Sequence, residues 1–459
     1  SHEALAALDG RGGIGRSRRL EAEFDNLLVA SRRALARGDG PVAAGAWRAA
    51  YFVLHQRGRT GAALSLSEEV AAITTGKDRF FALVSTCHFE RERGRVERSR
   101  AAAQEALAMA EAASDNLLTA IALSARGLLF QSGGQMEEAD ADYHRALASL
   151  PPGVDRVLEL HLLGHLGINQ LLRGKMPGAL EFLGKAVAMA REHGARSREG
   201  NLLGNLAIVA AEQGRMEQAR ELYEAALAIH RETGNRFEEA NELGNIGNLL
   251  SDQGQLAEAH LCYEQALAIV REIGDRRLEG IILGNLGTIE SEEGRTAEAQ
   301  GHIETALAIA RELKNRRSEG YALGFLAELQ RGMRQWSAAH AHSELALDIA
   351  LEIKNRRLEG VTLTGLSSLL ADEGRFEEAR AASAQAEAVL QEVGDRSSLG
   401  TVMCGRAELE AQAGDVPAAE VALIAAEALA DEVGATSGSL LRRRLTQLRS
   451  TLSESSRAS

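Results

Sequence analysis

Glycine recurs along this chain on a fixed step of forty residues: Gly94, Gly134, Gly174, Gly214, Gly254, Gly294, Gly374 and Gly414 share one grid. Arg334 holds the one vacant slot, with Gly332 two residues before it, so the turn ahead of Trp336 is expected to be altered rather than lost. Five residues past the grid points stand Ala139, Ala179, Ala219, Ala259, Ala299, Ala339, Ala379 and Ala419; seven further on come Ala146, Ala186, Ala226, Ala266, Ala306, Ala346, Ala386 and Ala426. Two columns of small residues in phase mean that helices pack closely at the same place in every unit.

Between grid points the apolar residues follow a helical step. Leu256, Leu261, Ala266, Leu267, Ile269, Val270 and Ile273 form one stripe, and Leu278, Ile281, Ile282, Leu286 and Ile289 form the next, so each unit is two helices of about 16 to 19 residues. Asn235, Asp275, Asn315, Asn355 and Asp395 are N-cap residues, and Gly234, Gly274 and Gly394 are helix stops before them. A two-helix unit cannot bury its apolar face alone, so the units must stack on one another. Length by itself suggests three domains; the period replaces them with one continuous superhelix. Counting Gly58 and position 334 there are ten grid points, the step from Gly58 to Gly94 being shorter. The expected layout is a linker over 1–19, an N-terminal helical segment with an irregular first unit over 20–59, stacked units over 60–434, a capping helix over 435–452 carrying Leu440, Leu441, Leu445 and Leu448, and a disordered tail over 453–459.

Composition narrows the function. Five prolines in 459 residues suit a helix-rich chain. A net charge of −13 argues against a general grip on nucleic acid or anionic lipid, which needs surplus Lys and Arg. No apolar run is long enough to span a membrane. Cys87, Cys262 and Cys404 form no C-x-x-C pair, which fits a reducing cytosol without disulfides or structural zinc. The start, Ser1-His2, has the look of a tag scar on an excised fragment, with no signal peptide after it.

Gly247-Asn248-Leu249-Leu250, Gly254, Ala259, Tyr263 and Ala266 resemble the tetratricopeptide signature: a small residue, a glycine turn, an alanine, an aromatic and an alanine at these offsets. Tyr143 and Tyr223 repeat the aromatic, while the usual terminal proline is absent. Leu203-Gly204-Asn205, Leu243-Gly244-Asn245 and Leu283-Gly284-Asn285 are similar to the forty-residue, Leu-Gly-Asn-containing subtype, found in animal polarity scaffolds and bacterial regulatory ATPases. The resemblance implies an all-α fold, a right-handed superhelical α-solenoid of about ten helix-turn-helix repeats with a C-terminal capping helix. Upstream, Leu20-Glu21-Ala22-Glu23-Phe24-Asp25-Asn26-Leu27-Leu28 and Ala34-Leu35-Ala36-Arg37-Gly38-Asp39 look like the segment that follows the nucleotide-binding and winged-helix parts of bacterial STAND-type signal-transduction ATPases. That likeness implies a C-terminal sensor region whose ATPase lies elsewhere; the alternatives are a free-standing adaptor or scaffold and a small-molecule-sensing regulator.

In such a solenoid the first helix of each repeat lines a concave groove. The resemblance places Asn241, Gly244, Asn245, Asn248, Ser251 and Asp252 there, with Asn201, Gly204, Asn205 and Glu212 before them and Gly284, Asn285, Thr288 and Glu292 after them. An asparagine amide both donates and accepts, so a column of them suits the backbone of an extended protein or peptide segment. His161 and His165 take the asparagine slots at one end, and Tyr321 and Phe325 at the other, where aromatics serve as anchors; Phe325 has the alternative of turning into the core. Gly164, Gly204, Gly244, Gly284 and Gly324 lie within helices, where each costs about 0.8–1 kcal/mol; they either clear room for a ligand or let neighbouring first helices approach. Acidic Glu212, Asp252, Glu292 and Asp372 suggest a partner with basic side chains and leave the family's carboxylate clamp without its cations.

The column Arg196, Arg236, Arg276, Arg316, Arg356 and Arg396, with Glu199, Glu239, Glu279, Glu319 and Glu359 three residues on, is regular enough to be structural, linking helix ends between neighbours. Gly10, Gly12 and Gly15 spell G-x-G-x-x-G without a strand before them. There is no P-loop and no H-E-x-x-H. Ser85 or Cys87 beside His88 lacks an orienting third group, and His161 with His165 lacks a third metal ligand. The chain is therefore expected to act by recognition, with no catalytic residue, metal or cofactor.

Overall fold

A computed structural model describes residues 23–57, 60–92, 95–151, 153–435 and 438–458. The expected linker with its G-x-G-x-x-G glycines and the grid points Gly58 and Gly94 lie outside them. Among the described residues there are twenty-two helices and no strand. In chain order these are α1 Phe24–Ala36, α2 Gly40–Arg57, α3 Thr60–Ile73, α4 Gly76–Glu92, α5 Val96–Ala112, α6 Asn116–Ser132, α7 Met136–Ser149, α8 Arg156–Leu172, α9 Met176–Glu192, α10 Arg196–Glu212 and α11 Met216–Thr233. There follow α12 Arg236–Asp252, α13 Leu256–Ile273, α14 Arg276–Glu292, α15 Thr296–Glu312, α16 Arg316–Gly332, α17 Trp336–Glu352, α18 Arg356–Asp372, α19 Phe376–Val393, α20 Arg396–Gln412, α21 Val416–Glu432 and α22 Leu440–Ala458. Consecutive helices pack in pairs: from α4 to α20 the even-numbered helices are the first of each pair and the odd-numbered ones the second.

The ends of these helices are set by the residues the sequence nominates. Asn235, Asp275, Asn315, Asn355 and Asp395, and also Asp115 and Asp155, which the sequence reading did not name, each accept, through a side-chain oxygen, the backbone N–H three residues on, which satisfies one of the donors a helix start leaves unpaired. Asp415 does the same for α21. Grid glycines adopt the left-handed backbone, Gly254 at φ +77° for instance. Arg334 keeps the same turn at φ +57°, so the forty-residue step survives with a strained residue in place of glycine. Lys314 and Lys354 do likewise at the turn between pairs.

The repeated small residues are buried to the last atom: Ala139, Ala179, Ala259, Ala299, Ala379 and their partners seven residues on expose almost nothing. A Cβ placed on Gly247 would lie 2.7 Å from Cε1 of Tyr263, and one on Gly127 2.5 Å from that of Tyr143. The small-then-aromatic pattern is thus a steric pair, with a ring edge resting on helix backbone.

Two compact units divide the chain, Ser1–Val209 with Ala228–Gly234, and Ala210–Leu227 with Asn235–Ser459. The core of the first holds Trp47, Phe80, Phe89, Leu123, Tyr143, Leu162 and Leu166. The second has one cluster around Ile303, Leu323, Leu326 and Ile349, and another in which Leu445, Leu448 and Leu452 of α22 cover Ala407, Ala422 and Ala426. The capping helix is therefore present, and it continues to Ala458, past the boundary at 452 and through the expected disordered tail. No Gly or Pro interrupts 440–458, and Leu445, Leu448 and Leu452 keep the helical step, so nothing ends the helix early.

The arginine column links helix ends. Arg236 donates to Glu239 at 2.6 Å and to Glu272, in the last turn of the second helix, at 2.7 Å; Arg276 repeats the pattern with Glu279 and Glu312, and Arg356 with Glu359 and Glu392. The second glutamate of each set was not apparent from the three-residue spacing alone.

Candidate functional site

In the first unit, His161 and His165 lie one turn apart on α8, ring centroids 6.5 Å apart. His165 stacks on Tyr143 at 5.5 Å and 22°. Burial, and then the positive charges of Arg198 and Arg91, lower its pKa to about 4, so the ring is neutral near pH 7. The His165 ring is half-buried against an aromatic of the preceding repeat. On α10, Asn201 is exposed and Asn205 half-buried.

In the second unit the asparagines hold one another and nearby acids. Asn241 donates to Glu238 at 3.4 Å and Asn245 to Glu242 at 3.3 Å. Asn248 Oδ1 accepts the Tyr263 hydroxyl at 2.5 Å and the Asn285 amide at 3.0 Å, which uses both lone pairs of that oxygen. Thr288 donates to the Gly284 carbonyl at 3.1 Å. Among the described residues, the Asn248 amide nitrogen and Asn285 Oδ1 carry no hydrogen bond, and they sit on neighbouring first helices α12 and α14.

The in-helix glycines divide between the two readings. Gly164 lies against Leu202, as close packing requires, whereas nothing stands within 4 Å of a Cβ on Gly244 or Gly324, so those two border open space. Tyr321 is half-buried with Arg317 over its ring at 6.0 Å. Phe325 takes part in both alternatives: it packs against the core cluster of α15–α18 and lines a 320 Å³ cavity with Thr288, Glu292, Leu329, Leu440 and Arg444.

The acidic positions are largely answered from within the chain. Arg443 donates to Glu292 at 3.0 Å and Arg331 to Asp372 at 2.5 Å. Burial raises the Glu212 pKa while the nearby positive Arg357 opposes the rise. Asp252 differs, since crowding by protein and then the like charges of Glu292 and Glu212 push it up to about 6. The arginines meeting these acids lie a hundred or more residues away for Glu212 and Glu292, beyond what spacing within a repeat could disclose.

Glu242 and Glu290 are buried acids that were not singled out from the sequence. Glu242 stands in a column otherwise filled by Ala122, Leu162, Leu202, Ile282, Ala322, Thr362 and Val402, and it is 3% exposed. Burial, moderated by the Asn245 bond and reinforced by Glu238, pushes its pKa up to about 7. The break in the apolar column was the available signal. Glu290, equally buried, meets His302 Nδ1 at 2.8 Å and has His260 Nε2 at 3.5 Å. Among the described residues no group of three or more His, Cys, Asp or Glu is placed to hold a metal. Ser85 donates to the Phe81 carbonyl, and burial raises the Cys87 thiol pKa.

Residues 198–272 and 278–352 match the model of the tetratricopeptide repeat family. No curated protein matches the chain. Among solved structures, it is similar to a Rap protein complexed with competence and sporulation factor (15% identity, 83% of this chain and 99% of that one, TM-score 0.50) and to a Rap conjugation gene regulator in complex with the Phr* peptide (16%, 77% and 96%, TM-score 0.51). It is also similar to a STAND protein with a tetratricopeptide repeat sensor from Pyrococcus horikoshii, at 16% identity and TM-score 0.50, over 72% of this chain and 54% of that one. At these identities the likeness concerns the fold. No helix among the described residues is long and apolar enough to cross a membrane.

Proposed function

Because two stretches of the chain match the tetratricopeptide repeat family, we propose that it recognises an extended protein or peptide segment on the face lined by its first helices, without catalysis. The observation that carries this is the Asn248–Asn285 pair. The internal bonds fix both amides and leave a donor on one repeat and an acceptor on the next, the complement of a peptide C=O followed by an N–H. The open space at Gly244 and Gly324 leaves backbone-width room beside it. Asp252 favours a partner that brings a basic side chain. Two of the structures of similar fold are complexes with a factor or peptide, which supports the same mode of use.

The test is an array of extended peptides probed with the purified chain. Peptides that bind should lose affinity about tenfold for Asn248→Ala combined with Asn285→Ala, with helicity unchanged by circular dichroism. Equal binding by the variant would remove the amide pair from the recognition surface.

The wider setting we infer is the cytosolic sensor region of a bacterial regulatory ATPase, supported by the segment Phe24–Asp39 and by the fold shared with the STAND protein. The coding sequence upstream of Ser1 tests it: a P-loop followed by a winged-helix segment is expected there, and a stop codon in its place would favour the free-standing adaptor.

A further inference from the structure

The cavity of 320 Å³ in the second unit lies between α14, α15, α16, α20 and the capping helix α22. Much of its lining is apolar: Ile303, Phe325 and Leu329 come from the repeats, and Leu440, 44% exposed, comes from α22. On α16 it runs from Phe325 to Arg331, six residues and so about 9 Å along the helix axis. A cavity of that size with a mixed lining suits a small organic molecule rather than a single water.

Five charged residues line the same space, and four of them answer one another. Arg331 donates Nε and Nη2 to the two oxygens of Glu328 at 3.0 and 2.6 Å, and its remaining nitrogen, Nη1, to Asp372 at 2.5 Å. Arg444 closes a similar fork on Glu408 at 2.8 and 2.5 Å. Glu292 is the fifth, with a side chain 18% exposed. Its Oε2 accepts Arg443 at 3.0 Å, but Arg443 is 47% exposed, so water competes for that bond. Among the described residues, Glu292 Oε1 and the hydroxyl of Ser291 carry no hydrogen bond, and both residues line the cavity. Asp252 lies near enough for its carboxyl to feel the like charge of Glu292.

We propose that this cavity binds a small apolar amine, with its hydrocarbon body against Phe325, Leu329 and Ile303 and its ammonium donating to Glu292 Oε1 and Ser291 Oγ. An ammonium brings three donors, which suits two open acceptors on adjacent residues. A carboxylate in its place would meet three lining acids against two arginines that are already forked onto acids. A neutral apolar ligand would leave the Glu292 oxygen cut off from water without a partner. Neither Asn248 nor Asn285 lines the cavity, so the site goes beyond the peptide face and does not depend on it. A bound amine would touch α14 and α16 on one side and Leu440 of the capping helix on the other, and so would hold the cap to the repeats.

The test is a ligand-observed NMR titration of the full chain at neutral pH with phenylbutylamine, and with phenylbutanol and phenylbutyrate, which keep the body and change the head group. The amine should bind about tenfold more tightly than the alcohol, and the carboxylate more weakly than either. Glu292→Gln should bring the amine down to the affinity of the alcohol. Arg443→Gln, which releases the second Glu292 oxygen, should tighten the amine about threefold and leave the alcohol unchanged; it decides the matter if Glu292→Gln does not fold by circular dichroism. Leu440→Trp, which closes the cavity from an exposed position, should weaken amine and alcohol alike. The tripeptide Phe-Ala-Ala separates two sources of the ammonium: weaker binding than the amine, the expected result, assigns a free small molecule, and equal binding assigns a peptide amino terminus to the same acceptors. No binding of the amine, equal affinity for amine and carboxylate, or an amine affinity that neither Glu292→Gln nor Arg443→Gln moves would overturn the site, and would leave the amide pair at Asn248 and Asn285 to be judged by the peptide array alone.

Discussion

Asn285 donates its amide N–H to Oδ1 of Asn248 at 3.0 Å, across two neighbouring first helices, and that oxygen also accepts the buried Tyr263 hydroxyl at 2.5 Å. One side chain therefore ties the proposed recognition face to the aromatic of the repeat signature. Asn248→Ala leaves the hydroxyl without its acceptor and should cost about 1–3 kcal/mol. A urea titration followed at 222 nm should show the midpoint fall, and Tyr263→Phe in the same background should recover part of it. No recovery would mean that the Tyr263 hydroxyl had not been the stranded group.

Glu242 makes stability depend on pH in a defined direction. Its folded-state pKa, about 7, lies above its ordinary 4.5, so its protonated form is the better buried. Its stabilising contribution is complete below about pH 4.5 and is lost as the pH rises through 7. Glu242→Gln removes that dependence and should stabilise the protein at pH 8 by at most about 3 kcal/mol. Melting temperatures between pH 5 and 8 check this, and parallel wild-type and variant curves would contradict it.

Glu279 titrates in the opposite sense. Burial pushes its pKa up, but the hydrogen bonds from Arg271 and Arg276 outweigh burial and hold it below the usual range. Its contribution is present above the unfolded-state value and disappears as the pH falls through the folded one. Glu279→Gln should therefore lower stability at neutral pH, where that contribution is present, and flatten the loss of stability on the acid side.

Arg334 is the strained member of the glycine grid, at φ +57° where Gly254 sits at +77°. Arg334→Gly relieves a left-handed cost of about 1 kcal/mol and should raise the melting temperature. The same change at Arg375, one residue past a grid glycine, has no such strain to relieve and serves as the control.

Gly247 rests under the Tyr263 ring, with 2.7 Å available where a Cβ would go. Gly247→Val forces the two helices of that pair apart and should lower stability by about 1–3 kcal/mol. Gly244→Val, one turn earlier and facing open space, should cost less, so the pair of variants separates the packing glycine from the one that borders open space.

Sequence alone carried the helix pairs, their caps and the step that stacks them, because these follow from spacings of a few residues repeated many times. Asn235, Asp275, Gly254 and the two alanine columns each act through neighbours in the chain or at the same point of the next repeat, and identical local geometry reproduces them. The arginine column was legible as structural, but only half of each cluster was, since Glu272 meets Arg236 through the stacking of a whole pair. What tertiary structure alone decided lies where the chain returns on itself in the second unit. Arg443 on Glu292, Gly438 against Gln253 and the cavity under Leu440 depend on the small rotation from one repeat to the next, summed over several repeats. No spacing records that sum, because each repeat's rotation is set by side-chain packing in three dimensions and not by its length.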